Sequence, residues 1–232
     1  MPIKIVEKRE KENNREYAYR LLRHNIMTLQ LLPGTTLNEG ELTDLLSISR
    51  TPIHEAILML KEETLVDVYP QSCSRVSLIH IDILKEGYFL RSVIEPEIIR
   101  QLAGNVPGEK MECLKQNLDR QKEALHAEDK IDSFFKLDDK FHHLIYSAAG
   151  KDITWYAVKK VSSHYDRVRY LDAIVNQTDL EGILMEHKDI AHILLLGMTA
   201  DFDLKHFYDR HLGTYRKHFQ GILEEYPGYF HM

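Results

Sequence analysis

Residues 46–66, "LSISRTPIHEAILMLKEETLV", decide how the chain folds. Ser49 or Thr51 opens a helix, with Pro52 in its first turn, where the missing N–H is harmless. Ile53, Ala56, Ile57 and Leu60 recur at three- and four-residue spacing and predict one buried stripe. Upstream, Pro33-Gly34 breaks the chain, and a short helix begins at Asn38. There Asn38 and Glu41 make a capping box, Leu37 and Leu42 a hydrophobic staple, and "SIS" ends the helix. Farther back, residues 13–30 carry Ala18, Leu21, Leu22, Ile26 and Leu29 at helical spacing. Downstream, Val66 and Val68, then Val76 and Leu78, alternate on either side of "YPQSCSR", which predicts a two-stranded ribbon. Helix, helix, turn, helix, ribbon is the order of a winged helix-turn-helix, here over residues 1–78.

From residue 79 the chain reads as helical to its end, with helices expected over 80–104, 109–127, 131–148, 152–174, 179–198 and 201–224. Short breaks at "GNVPG", "AEDK", "AAGKD" and "NQTD" favour a compact bundle. The fold class expected is therefore mainly α: an N-terminal winged helix-turn-helix (1–78) followed by an all-helical domain (79–232).

The 232 residues, 44% hydrophobic and 28% charged, suit a soluble globular protein of one or two domains. No apolar run reaches membrane-spanning length, and the N-terminus is charged, without the apolar core of a secretory signal. Cys73 and Cys113 are too few for a disulfide framework, and a cytoplasmic protein with no membrane partner is expected. The formal charge of −6 divides unevenly: through residue 80, 10 Lys and Arg face 11 Asp and Glu, leaving 20 against 25 beyond it. An acidic total does not forbid DNA binding, because phosphate contact depends on where the cations lie.

In a winged helix the third helix enters the major groove by its N-terminal residues, here Ser49, Arg50, Thr51 and His54. Arg50 suits a guanine edge or a phosphate, and hydroxyls suit phosphate oxygens. Arg75 in the wing and Arg15, Arg20 or Arg23 on the first helix are placed to add backbone contacts. The bland alternative is a polar helix face that merely meets water.

"FFKLDDKFHHLIYSAAG", residues 134–150, is the second informative stretch. Asp138 and His142 are four apart and share a helix face, bordering the apolar side made by Phe134, Leu137, Phe141 and Ile145. Asp139 and His143 face about 100° away. His187 and His211 lie on later helices, and one Asp with three neutral imidazoles suits Zn²⁺, Ni²⁺ or Mn²⁺. Against this, 10 of the 13 histidines fall beyond residue 80, so some are neighbours by chance. An arginine fork near the metal would hold a carboxylate ligand, with Arg91 and either Arg167 or Arg169 as candidates. Arg91 is equally suited to pair with Glu95 along its own helix. Trp155 is expected in the core, and His164, His192 and His218 at the surface or satisfied within it. A small metallohydrolase is the alternative activity, although no H-E-x-x-H, G-x-S-x-G, P-loop or G-x-G-x-x-G is present. A DNA-compacting protein without an effector is a third reading, opposed by the size of the helical part.

Three pieces together, "LPGTTLNEGEL", "SRTPIHEAI" and "VDVYPQSCSRV", resemble the winged-helix domain of the GntR family of bacterial regulators. The resemblance implies DNA contacts at Ser49, Arg50 and Thr51. Three positions depart from it: His54 stands where the family usually has arginine, Cys73 where it has a wing glycine, and Gly40 where some members have a DNA-contacting side chain. These departures imply weaker binding or a different base preference. The segment from about 80 to 224 is similar to the helical effector domain called FCD, on the motifs "LDDKFH", "EHKDI" and "RHL". That likeness implies a divalent metal held by Asp138, His142, His187 and His211, and a carboxylate effector held by Arg91 and Arg169. The gap before "RHL" is longer than usual, which makes His206 a rival for the last ligand. The resemblance as a whole implies a homodimeric regulator that binds double-stranded operator DNA and responds to a small organic acid.

Overall fold

The computed structural model describes residues 3–69 and 73–231. Its N-terminal part is a winged helix. Helix α1 (Asn14–Met27) begins with a reciprocal box in which Asn13 accepts from the Glu16 N–H and Glu16 accepts from the Asn13 N–H. Helices α2 (Glu39–Leu46) and α3 (Arg50–Glu62) follow, with Ser47 in the left-handed conformation at the turn between them. Asn38 caps α2 by accepting from the Gly40 and Glu41 N–H groups, but the return bond expected from Glu41 is not formed there. The expected stripe is buried, Ile53, Ile57 and Leu60 packing with Leu22, Ile26 and Leu42.

The ribbon has three strands rather than two. Strand β1 (Thr36–Leu37) pairs with β3 (Ser74–Val76), which pairs with β2 (Val66–Val68), all antiparallel. Strand β1 is too short to show an alternating pattern, and Leu78 lies beyond β3. Pro70, Gln71 and Ser72 of the expected wing loop lie outside the described residues.

Eight α-helices build the rest of the described chain: α4 (Ile81–Leu102), α5 (Gly108–Ala124), α6 (Lys130–Ala148), α7 (Asp152–Val161), α8 (Ser163–Asn176), α9 (Leu180–Leu196), α10 (Leu204–Leu212) and α11 (Phe219–Glu225). Phe134, Phe141, Ile145, Ile190 and Leu194 centre its core. Two expected helices are divided. The stretch 152–174 breaks at Ser162, whose hydroxyl donates to the Val158 carbonyl at 2.8 Å, a side-chain bond that competes with the helix ladder. The break lies against Gly87 of α4, where a Cβ would come within 2.9 Å of both the Ser162 Cα and the Val161 carbonyl oxygen. The stretch 201–224 starts only at Leu204, where Asp203 caps, and breaks at Gly213 into a 3₁₀ turn, Thr214–Lys217. The chain does not end as a helix: β5 (Phe230–His231) returns to pair in parallel with β4 (Ile79–His80).

Helix α8 joins the two parts. His164 accepts from the His80 N–H through Nδ1 (3.0 Å), so its proton sits on Nε2, 3.1 Å from the Thr64 carbonyl. Arg167 donates to the Ser77 carbonyl (2.8 Å) and hydroxyl (3.2 Å), and the Ser163 hydroxyl donates to the Glu63 carbonyl (3.2 Å). Leu29, Ile79, Tyr165 and Phe230 fill the apolar space beside this joint.

Two outcomes are expected. Gly87→Ala forces backbone apart at the α7–α8 bend and lowers stability by about 1–3 kcal/mol, read as a reduced Tm. Burial, with Arg167 and His80 nearby, pushes the His164 imidazole from 6.5 down to about 3. Below 6.5 the unfolded chain therefore takes up a proton that the folded chain refuses, and this contribution to stability is lost as pH falls from about 6.5 to about 3. Each such proton tilts stability by about 1.4 kcal/mol per pH unit, so denaturant titrations of His164→Gln across that range should show a slope shallower by about one proton.

Candidate DNA-reading face and metal centre

The first turn of α3 faces solvent. Ser49 makes no side-chain capping bond, and Arg50, Thr51 and His54 are all exposed beside it, with Arg75 exposed on β3. Arg50 and His54 of that turn are both held by one residue of α2. Arg50 Nε donates to Glu39 at 2.6 Å, and His54 Nδ1 pairs with the other carboxylate oxygen at 2.8 Å. Burial pushes the Glu39 carboxyl up, but the bonds from His54 and Arg50 outweigh it and leave it lowered. The arginines of α1 do not add to this face as expected. Arg20 donates to Glu12 and to the Glu7 carbonyl, Arg23 donates to Glu63, and both line a cleft facing the helical part; only Arg15 of the three stays exposed.

In the helical part, His142 of α6, His187 of α9 and His211 of α10 converge, each 3% exposed or less, with ligand atoms within 4.8 Å of one another. Their orientation is fixed from outside. His187 Nδ1 lies 2.7 Å from Gln121 Oε1, and His211 Nδ1 lies 2.8 Å from Glu186 Oε2. His142 Nδ1 lies 2.9 Å from Glu95 Oε2, though out of hydrogen-bond alignment. The acceptors at the Nδ1 of His187 and His211 turn those two Nε2 atoms inward as lone-pair donors, the arrangement of metal-ligating imidazoles. The inner atoms are close: His142 Nε2 to His211 Nε2 is 3.4 Å, and His187 Nε2 to Asp138 Oδ1 is 3.4 Å. Burial drives His187 far below the usual histidine range and lowers His211, so both are neutral ligands at neutral pH. The donor set therefore fits a divalent ion. His206, the rival, is exposed, and its N–H donates to Asp203. Asp139 and His143 point elsewhere, to Lys159 and Asp152.

Two arginines flank this cluster. Arg169 forks onto Asp138, with Nη1 to Oδ2 at 3.2 Å and Nη2 to Oδ1 at 3.1 Å. Burial would raise the Asp138 carboxyl, but Arg169 and the imidazoles hold it well below its usual range. Arg91 pairs with Glu95 through Nε at 2.6 Å, the intrahelical alternative. Its Nη1 and Nη2 nevertheless have no partner, and neither do the buried hydroxyls of Tyr146 and Tyr208. Arg167 serves the domain joint instead.

Two family profiles match the chain: the gntR family of bacterial regulatory proteins over residues 14–76, and the FCD domain over residues 86–200. The HTH-type transcriptional repressor RspR of Escherichia coli K12 is 34% identical over 175 residues, 75% of this chain and 76% of that protein. The chain belongs to the GntR family. The Nta operon transcriptional regulator of Aminobacter aminovorans is 26% identical over 193 residues, covering 83% of this chain and 86% of its own. The solved structure of E. coli McbR/YncC shares the fold, with a TM-score of 0.72 over 92% of this chain and 99% of that one at 17% identity. This GntR chain is a transcriptional regulator and not an enzyme, and the metallohydrolase alternative finds no support. No helix among its described residues is long and apolar enough to cross a membrane.

Sequence reasoning missed several partners in this GntR regulator. Gln121 was legible in principle, since it sits on the buried stripe of α5 with Met111, Leu114 and Leu118. Two amides on an apolar face, Gln121 and the Asn117 it donates to, are a signal. Glu186 was not: it adjoins His187 in the chain but serves His211 across helices. Glu39, Tyr146 and Tyr208 carry no local mark.

Arg91 and Glu95 are each 1% exposed, and removing one charge strands the other in a dry interior. Glu95→Gln is expected to cost about 3–5 kcal/mol in chemical denaturation.

Proposed function

We propose that residues 1–78 form the DNA-reading head of a homodimeric, cytoplasmic regulator, and that residues 79–232 bind a divalent metal and a small organic acid that together set operator affinity. Ser49, Arg50, Thr51 and His54 enter the major groove, and Arg75 approaches the backbone from the wing. Glu39 already pairs with Arg50 and with the His54 imidazole in the free protein, so DNA phosphates compete with a resident carboxylate. This supports a head that binds weakly alone and gains affinity by pairing on a two-fold operator. Phe89 and Val93, one turn apart on α4, are 62% and 54% exposed, an apolar pair suited to a second copy.

The observation that carries the effector reading is the set of inward-turned Nε2 atoms beside unpartnered donors. Asp138, His142, His187 and His211 hold the ion in this reading, and three imidazoles favour zinc or nickel over manganese. The bound ion supplies a Lewis-acidic position for one oxygen of the acid. Arg91 offers its two unpartnered nitrogens, and Tyr146 and Tyr208 their hydroxyls, to a carboxylate. Arg169, whose fork holds Asp138 in the absence of the acid, is the second cationic contact for the acid in this reading. The acid shifts the population between helical arrangements that hold the two heads at different spacings.

Selection of genomic fragments by the purified protein, at about physiological salt and with or without a chelator, tests this. One short palindrome should be recovered. Chelation and His187→Ala should move operator affinity in the same direction, by tenfold or more. Binding that is blind to sequence and merely sensitive to salt would sink the reading.

A further inference from the structure

A cleft of about 940 Å³ separates the winged helix from the helical domain, at the upper end of the range for small-molecule pockets, about 300–1,000 Å³. One wall belongs to α6, α7 and α8 and carries Phe135, Trp155, Tyr156 and Tyr170. The other belongs to the reading head: Tyr19 and Arg23 of α1, both bonded to Glu63, the C-cap of the recognition helix. Arg169 lies in the lining as well, although its guanidinium forks onto Asp138 beside the three imidazoles. Its guanidinium carbon lies 5.0 Å from the Phe135 ring and 5.6 Å from the Tyr165 ring. The cleft and the metal centre therefore share one cationic residue.

We infer that Arg169 is an exchangeable carboxylate seat at the floor of this cleft. Asp138 occupies it in one state, and the carboxylate of an amphipathic organic acid in the other, with the acid's apolar body lying in the cleft between the aromatic wall and α1. The inference rests on the Asp138 and Arg169 assignments proposed above and specifies the class of acid. The fork already holds a carboxylate in bidentate fashion, so a second carboxylate is a like-for-like replacement. Asp138, once displaced, stays beside His187, where its oxygen is already 3.4 Å from Nε2. Metal and acid then assist one another, since each favours the state in which Asp138 leaves Arg169. The body of the acid touches α1 and the end of the recognition helix, which connects the ligand to the DNA-reading head without a relay.

The test uses the full-length chain and the n-alkanoates from acetate to decanoate. Trp155 is the one tryptophan in the sequence and it lines the cleft, so its fluorescence reports occupancy. Affinity should rise by up to about three- to fourfold per added methylene as the chain extends along the aromatic wall of the cleft. Arg169→Lys should weaken every member at least tenfold, because an ammonium cannot reproduce the fork. Tyr156→Ala, at a side chain 62% exposed, should weaken octanoate and leave acetate unchanged. Asp138→Asn should tighten octanoate in the metal-free chain, and zinc should tighten octanoate in the wild type. Affinity independent of chain length overturns the cleft while leaving an acid-responsive metal centre intact. A Trp155 response without any change in operator affinity overturns the connection to α1. If no alkanoate, short or long, changes Trp155 emission or operator affinity, this inference and the effector reading fall together.

Discussion

The carboxylate of Asp138 is fully buried and ionised at the centre of the helical domain, and a charge in that position must be compensated by groups held in fixed geometry. Arg169 supplies the counter-charge from α8, and His187, one of the three converging imidazoles of α6, α9 and α10, approaches the same carboxylate. The same demand then spreads outward. Each imidazole faces an acceptor at Nδ1, so α4, α5 and α9 contribute Glu95, Gln121 and Glu186, and Glu95 requires Arg91. The bundle is thus organised about a polar axis as well as an apolar core, and the paired groups of that axis help to fix the rotation of its helices.

Helix α8 places that axis in contact with the reading head. Arg169 touches Asp138, Arg167 holds Ser77 just after the wing, and His164 holds Thr64 just after the recognition helix. Five residues of one helix span about 7.5 Å, and a packed helix moves as a body. A displacement of the Arg169 end is therefore felt at the joint. The cleft lies beside the same helix, between the two structures it connects.

The acidic character of the chain poses no conflict with DNA reading. The surplus of acid lies beyond residue 80, while the head is close to neutral. Within the head Arg50 and His54 share Glu39, and Arg23 is paired with Glu63. His54 in place of an arginine lowers the permanent charge of the reading turn.

Local codes were legible in the sequence. The stripe of α3, the Asn38 cap, the Asp138–His142 face and the winged-helix order all depend on residues a few positions apart, where the backbone alone fixes which side chains are neighbours. Two helices of expected length were nevertheless divided, at Ser162 and Gly213, because close approach of α4 at Gly87 and local hydrogen bonding override the apolar period. The convergence of His211, and not His206, on His142 and His187, the pairing of Arg91 with Glu95 and of Arg169 with Asp138, and the contacts of Glu39 and Gln121 depend on tertiary packing. The amino-acid sequence by itself determined which residues share a helix face, and so which side chains were available. Which of them meet was decided by the docking of helices up to about a hundred residues apart, since burying one charge requires partners that no local spacing encodes.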